Sequence, residues 1–162
     1  MTSNTPSHIR DLITANHILH HHSIVDAYGH ISLRNPSNPK TFYLSHSIAP
    51  ALVDSRHDLV EYHVEDAMPV KSGVAEGYKE RFIHSEILKR YPGVNAVVHS
   101  HAESVIPYGI SGVPMKAVYH MGGFLGTNTP VWDIASHYSR GDTHNLLVST
   151  QPLGAALASS FT

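Results

Sequence analysis

The chain has 162 residues, enough for one domain with its own hydrophobic core and too few for two, so residues 1–162 are expected to form a single domain. A formal net charge of −2 argues against a nucleic-acid partner, and no apolar run approaches the roughly 18 residues of a membrane span. The absence of cysteine excludes disulfide scaffolds and thiolate chemistry and favours a cytoplasmic location.

The first half of the chain predicts one helix and three strands. Apolar residues recur at helical spacing from Ser7 to His22, with the first serine as the expected N-cap. Two short strands follow, His30 to Arg34 and Thr41 to Ser45, separated by a turn rich in Asn and Pro. Leu59 to Val64 alternates like a third strand, and Met68 to Gly77 contains the Pro and Gly residues of an exposed loop.

The second half predicts three helices and two strands around one irregular segment. The helices are expected at Glu80 to Tyr91, Ala102 to Tyr108 and Thr150 to Ala158. The strands are expected at Asn95 to His101 and Leu146 to Ser149. The segment Met115 to Thr129 is Gly-rich, with room for a short helical turn. Because helices and strands follow each other without a regular βαβ rhythm, an α+β layered fold is favoured.

The sharpest local feature is the pair His99 and His101 at the end of a predicted strand. The chain contains 15 histidines, and histidine is the commonest metal ligand. Residues two apart on a strand point to the same side, so the two rings offer two corners of a tetrahedral or octahedral metal site. The alternative is a pair of partly exposed histidines, which a lone His-x-His motif favours.

The preceding helix adds a carboxylate to this pattern. Glu80 and His84 are four residues apart and therefore share a helix face, and Pro92-Gly93 leads from that helix into the histidine strand. Beside a bound cation, Glu80 can act as a further ligand or as a general acid/base. The alternative is a solvated residue that the helix dipole stabilises. Local features leave these roles open.

Several segments together resemble the class II aldolase/adducin family. The core signature is carried by Glu80 to His84 and Arg90 to His101. Gly29 to Arg34 resembles the family's first glycine-rich strand motif, and Leu147 to Gly154 resembles a late strand–helix step. The resemblance runs from about residue 8 to the last residue. It implies an α/β/α layered fold with a mainly antiparallel central sheet flanked by helices.

The resemblance also implies a divalent metal on three histidines: zinc first, with manganese, iron, cobalt and magnesium as alternatives. It further implies a homo-oligomer, often a tetramer with active sites between subunits. His99 and His101 match the first two metal ligands, and Glu80 matches the catalytic acid/base. The third ligand has no counterpart, since relatives place it in a further strand beyond the position of Thr162. The domain is therefore expected to be truncated at its C-terminal end.

Departures from the family pattern bear on the substrate. Sugar-phosphate members have an Asn after the first glycine, where this chain has His30, and cradle phosphate in loops of small residues. The corresponding loops, Ser45 to Pro50 and Glu76 to Glu80, carry bulkier residues. The pattern resembles the decarboxylase-like branch, which acts on hydroxylated aromatic or related carboxylic acids. Aldol cleavage of a hydroxy-carbonyl or sugar-phosphate substrate is one alternative, and a non-catalytic adducin-like binding module is another.

A mechanism follows from the resemblance. His99 and His101 would hold a metal that binds two substrate oxygens, and the cation would supply Lewis-acid stabilisation of the negative charge left when carbon dioxide departs. Glu80 then delivers a proton to carbon, which requires a raised pKa. Without a third histidine, Glu80 can bind the metal itself in a 2-His-1-carboxylate arrangement. The candidates for lining the substrate pocket are His30, Ser32 and His120.

Overall fold

The structure, a computed structural model, describes residues 5–75 and 77–161. Met1 to Asn4, Glu76 of the predicted loop, and Thr162 lie outside the described residues. Within them, four strands form one antiparallel sheet in the order β3-β2-β1-β4. The strands are β1 (His30–Arg34), β2 (Thr41–Ser45), β3 (Leu59–His63) and β4 (Ala96–His99). The α-helices are α1 (Ser7–His21), α2 (Arg81–Arg90), α3 (Ile106–Ile110) and α4 (Gln151–Ala158).

The sheet separates two hydrophobic clusters because successive side chains of a strand point to opposite faces. On β2, Tyr43 joins the cluster under α1, whereas Phe42 and Leu44 join the cluster under α2 and α4. The α1 cluster contains Ile9, Leu12, Ile13, Ile31, Tyr43, Val53 and Leu59. The result is an α/β/α arrangement around an antiparallel sheet, as the sequence predicts.

Buried hydrogen bonds fix α2 against the start of β4. The guanidinium of Arg34, on β1, donates to the backbone carbonyls of Leu88 (2.7 Å) and Val94 (2.9 Å). Those two carbonyls lie at the end of α2 and in the turn before β4. The arginine therefore holds the connection between the helix and the strand that carry Glu80 and His99.

Most predicted elements are found, with small shifts at their ends. Strands β1 and β2 have the predicted bounds, and α2 is one residue shorter at each end. Strand β4 ends at His99 rather than His101, and Pro6 rather than Ser7 is the N-cap of α1. The irregular segment does contain a short turn of 3-10 helix, His120–Leu125.

Two predictions about the second half are wrong. Leu146 to Ser149 forms no strand: Leu146 is 74% exposed with a φ of 64°, and no strand of the described residues pairs with this segment. Helix α3 begins at Ile106 rather than Ala102, with Pro107 in its first turn, where proline's fixed φ is favourable. In the described residues, no helix has both the length and the apolar character needed to cross a membrane.

Candidate metal centre

Three of the predicted site residues, His30, Glu80 and His99, meet where β1, β4 and the start of α2 come together. The antiparallel register pairs His30 of β1 with His99 of β4, and their ring centroids are 4.9 Å apart. Glu80 is the N-cap residue of α2. The fold thus brings together three side chains from distant parts of the sequence.

His30, Glu80 and His99 form the tightest cluster of donor groups. Each offers one ligand atom, and these atoms all lie within 4.8 Å of one another. Glu80 Oε2 is 3.3 Å from His99 Nε2, and Glu80 Oε1 accepts the backbone N–H of Val148 at 3.2 Å. Both carboxylate oxygens are therefore held in place, with one directed at the histidine.

His101 lies beyond the end of β4, yet its ring still turns toward His99. The two Nε2 atoms are 3.0 Å apart and the rings are nearly perpendicular. On its other side, His101 Nδ1 is 3.2 Å from Oδ2 of Asp26, whose Oδ1 accepts the backbone N–H groups of Tyr28 and Gly29. A carboxylate that accepts a hydrogen bond from Nδ1 leaves the lone pair of the ring on Nε2. Such a carboxylate is the usual hydrogen-bond partner of a metal-binding histidine.

His30 is buried, with 1% of its surface exposed. Its Nδ1 is 2.7 Å from His84 Nε2, and His84 Nδ1 is 2.8 Å from Ser32 Oγ. Among the described residues, His30 Nε2 has no hydrogen-bond partner. The three residues form a buried polar chain that leads from α2 to the donor cluster.

Burial and neighbouring charges shift the pKa values of the buried groups. Burial, with smaller contributions from His84 and His99, lowers the pKa of His30 to about 2. Burial, and then His99, lowers the pKa of His84 to about 3, although a hydrogen bond with the Val97 backbone opposes this. Both rings are therefore neutral near neutral pH.

The pKa of Glu80 lies below its ordinary value. Burial raises it, but the hydrogen bond and charge of His99 and the backbone N–H of Val148 together lower it more. The raised pKa expected from the sequence is therefore wrong for this geometry, because the carboxylate has partners that favour its charged form.

A cleft of about 630 Å³ opens beside the cluster. Its wall includes Tyr78, whose ring is 4.3 Å from that of His30 and whose hydroxyl donates to the Ile48 carbonyl. The other lining residues are Ala27, Tyr28, Ser47, Ile48, Ala49, Lys79, Glu80, His99, His101, Leu146 and Leu147. The donor cluster thus borders a space that a small molecule can enter.

Two of the predicted pocket candidates lie elsewhere. Ser32 is fully buried and contacts His84 rather than the cleft, because it follows His30 by two residues on β1 and points under α2. His120 is exposed on its 3-10 helix, where its ring contacts Tyr119. Neither residue lines the cleft, and the third candidate, His30, is buried in the donor cluster and is not one of the lining residues either.

Sequence reasoning missed Asp26 and the role of His84. Asp26 precedes Gly29 by three residues, and an Asp that caps a turn before a glycine was the available local signal. Its contact with His101 spans 75 residues of sequence, which no local pattern reveals. His84 shares a helix face with Glu80 as predicted, but its burial against His30 and Ser32 follows only from the packing.

The donors present fit a divalent metal ion. Imidazole nitrogens with one carboxylate suit zinc, iron and manganese. His30 belongs to the donor cluster, and its buried Nε2 has no hydrogen-bond partner in the described residues. His30, Glu80 and His99, with His101 beside them, are the residues that can hold such an ion.

Comparison with known proteins shows the family of this chain. The model of the family described as "Class II Aldolase and Adducin N-terminal domain" matches residues 10–160. The chain belongs to this family. Decarboxylase tropJ of Talaromyces stipitatus is 50% identical over 153 residues, which cover 94% of this chain and 58% of that protein. The similarity to a protein with this name agrees with the decarboxylase-like branch predicted from the sequence.

Solved structures show the same architecture. An L-fuculose 1-phosphate aldolase superposes with a TM-score of 0.61 at 16% identity, covering 72% of this chain and 55% of its own. The L-fuculose 1-phosphate aldolase from Glaciozyma antarctica PI12 gives 0.60 at 21% identity, covering 79% and 59%. At these identities the likeness confirms the fold. The chain spans between 55% and 59% of the length of these three relatives.

Proposed function

We propose that this protein is a metal-dependent carbon–carbon lyase that decarboxylates a hydroxylated aromatic or related carboxylic acid. The observation that carries the proposal is the convergence of Glu80, His99 and His101 beside an open cleft. The 50% identity with a protein named as a decarboxylase supports the same reaction class. Zinc is the proposed metal, since imidazole and carboxylate donors are its usual ligands.

The residues divide the work between binding and proton transfer. When bound, a divalent cation supplies Lewis-acid stabilisation of the negative charge that develops as the carbon–carbon bond breaks. His99 and His101, whose Nε2 atoms are 3.0 Å apart, would hold it. Glu80 Oε1 accepts the Val148 N–H, and Oε2, which is 3.3 Å from His99 Nε2, is the oxygen that would hold a proton and deliver it to the substrate carbon. A substrate that fills the cleft removes water from Glu80, and this desolvation raises the carboxyl pKa.

The cleft favours an aromatic acid over a sugar phosphate. Its volume of about 630 Å³ lies in the range of small-molecule sites. Ile48, Ala49 and Leu147 give it apolar walls that suit a ring, and the ammonium group of Lys79 among its lining residues suits a carboxylate. The bulky Tyr78 stands where a phosphate-binding loop needs small residues.

The reaction class is tested by a direct assay of both alternatives. Protein loaded with Zn²⁺ is offered hydroxylated aromatic acids with detection of carbon dioxide, and sugar phosphates with detection of aldehyde. We expect carbon dioxide release alone. Aldehyde release alone would assign the aldolase reaction, and a metal-loaded protein inactive in both assays would favour the adducin-like binding module.

The role of Glu80 is tested with Glu80→Gln, which keeps the shape of the side chain and removes its acidity. We expect kcat to fall by about 10²–10⁴-fold while Zn²⁺ remains bound, because the proton donor is lost. Glu65→Gln is the matched control, since the Glu65 side chain is 79% exposed and pairs with Lys89. Undiminished turnover in Glu80→Gln would remove this residue from the mechanism.

We further propose that the protein acts as a homo-oligomer, for which the tetramer common in the family is the expected form. Strand β4 lies at an edge of the sheet, and its Val98 is 44% exposed. Unpaired edge strands favour association with a further chain. Light scattering of the purified protein is expected to give a multiple of 17.8 kDa, and a mass of 17.8 kDa would contradict the proposal.

A further inference from the structure

We propose that His30 is a third nitrogen ligand of the metal centre, and that His84 and Ser32 hold its ring in the form that binds a cation. This inference rests on the metal centre of the proposed function. It adds a ligand that the family resemblance does not supply, because sugar-phosphate members have an Asn where this chain has His30. His84 is assigned a positioning role only.

The packing fixes the position of the His30 ring. The β1–β4 register places it beside His99, with the two centroids 4.9 Å apart. The Tyr78 ring lies 4.3 Å from it and the His84 ring 4.8 Å. A ring in contact with three others, with 1% of its residue exposed, has no room to turn away. It therefore presents one defined nitrogen to Glu80 and His99.

The hydrogen-bond chain decides which nitrogen carries the proton. His84 is completely buried, and a buried imidazole favours the neutral form, which has a single N–H. Ser32 of β1 pairs with Val97 of β4, and its hydroxyl contacts His84. Because Ser32 Oγ is 2.8 Å from His84 Nδ1, we place the His84 proton on Nδ1.

His84 Nε2 is then an acceptor, so the hydrogen in its 2.7 Å contact must come from His30 Nδ1. A neutral His30 that carries its proton on Nδ1 has its lone pair on Nε2. This is the atom without a partner in the described residues, and His30 is one of the three residues whose donor atoms lie within 4.8 Å of one another. A buried acceptor without a partner is costly, and a bound cation removes that cost.

The first test uses the wild-type protein and depends on no variant. Long-range ¹H–¹⁵N spectra of protein labelled at histidine report which nitrogen of each ring is protonated. Without metal, we expect His30 to be protonated on Nδ1 alone. On addition of Zn²⁺, we expect the His30 Nε2 resonance to shift together with that of His99. A His30 Nε2 that is protonated, or that stays in place while His99 shifts, would overturn the inference and show that only water occupies this position.

The second test measures Zn²⁺ affinity by competition with a chelating dye. His84→Gln should weaken Zn²⁺ binding by about 10–100-fold, which is the usual effect of losing a residue that hydrogen-bonds to a ligand. His30→Asn should weaken Zn²⁺ binding by more than this, because the ligand itself is lost. His63→Gln is the matched control, because His63 is exposed on β3 at the opposite edge of the sheet, and its affinity should equal that of the wild type. Circular dichroism of each variant checks that it folds, and the wild-type spectra decide the question if one does not.

The two proposals fail in different ways. Wild-type affinity in a folded His30→Asn would overturn the role of His30 and leave the proposed function intact. Zn²⁺ bound through His30 without decarboxylation would contradict the proposed function and support the role of His30. Absence of Zn²⁺ binding to the wild type would overturn both.

Discussion

The sheet with its flanking helices differs sharply from the segment at residues 112–147. In the sheet, β2 is buried along its whole length, and the polar residues His30 and His84 are enclosed with it. In residues 112–147, Ile134 is the single buried residue, and regular structure is limited to two short 3-10 helices, His120–Leu125 and Ile134–His137. The two regions nevertheless meet at the cleft, where Leu146 and Leu147 face Glu80 and His99.

This difference indicates a division of roles. Metal-binding side chains must be held to within fractions of an ångström, which densely packed strands can do. Segments with few buried contacts open more readily. We therefore expect the packed wall to fix the ligands and the exposed wall, which includes Leu146, to govern access of the substrate.

The largest expected difference in stability is between the substitutions of two phenylalanines, one in each region. Phe42 is completely buried on β2, whereas Phe124 is 87% exposed in the irregular segment. Phe42→Ala should lower the free energy of unfolding by about 3–5 kcal/mol because it leaves a cavity, and Phe124→Ala should change it by less than about 0.5 kcal/mol. Urea unfolding measures both. Equal losses would show that the two regions do not differ as described.

The second largest effect is a dependence of stability on pH, which arises from His30 and His84 in the packed region. In the unfolded chain, His30 and His84 take up protons as the pH falls through 6.5, but in the folded chain only near pH 2 to 3. The free energy of unfolding of the metal-free protein should therefore be highest above pH 6.5, where both rings are neutral in either state, and should decrease below this pH. At pH 5.5 each ring should lower the free energy of unfolding by about 1.4 kcal/mol.

Urea unfolding of the metal-free protein at pH 7.5 and pH 5.5 checks this dependence. The variant His84→Gln should show about half of the loss, because one of the two rings has been removed. A wild-type stability that does not change over this interval would contradict the burial of neutral histidines in the sheet region.

The smallest effect distinguishes two glycines. A Cβ on Gly154 of α4 would lie 2.5 Å from the Phe82 carbonyl oxygen of α2, whereas a Cβ on Gly123 would meet nothing within 4 Å. Gly154→Ala should cost about 1–3 kcal/mol because the helices must separate, and Gly123→Ala should be neutral within about 0.5 kcal/mol. Thermal unfolding compares them, and a neutral Gly154→Ala would refute the close approach of α2 and α4.

The same division explains what the sequence could predict. The bounds of β1 and β2 were predicted because their residues alternate between two buried faces and a clear turn separates them. Leu146 to Ser149 has the residue types of a strand, but strand formation depends on a neighbour, and no strand of the described residues lies beside it. Residue pattern therefore predicts a strand correctly where neighbouring strands pair with it, as in β1 and β2, and wrongly where no strand pairs with it.

The candidate site shows a similar limit. The local spacing of His99, His101 and Glu80 leaves their roles open, and it is the family resemblance carried by these residues that predicts a shared site. The position of the His30 ring beside His99 depends on the register of β1 and β4. The contact of Asp26 with His101 joins residues that are 75 positions apart in the sequence. The sequence contains the residues for both contacts but no local signal that connects them.

The central claim is that Glu80, His99 and His101 surround a metal ion, and elemental analysis of the untagged protein tests it most directly. Protein purified without chelators and dialysed against metal-free buffer should retain about one zinc or other divalent transition metal per chain. The double variant His99→Ala/His101→Ala should retain none while keeping its circular dichroism spectrum. Wild-type protein without metal, or a double variant that binds as much metal as the wild type, would contradict the account.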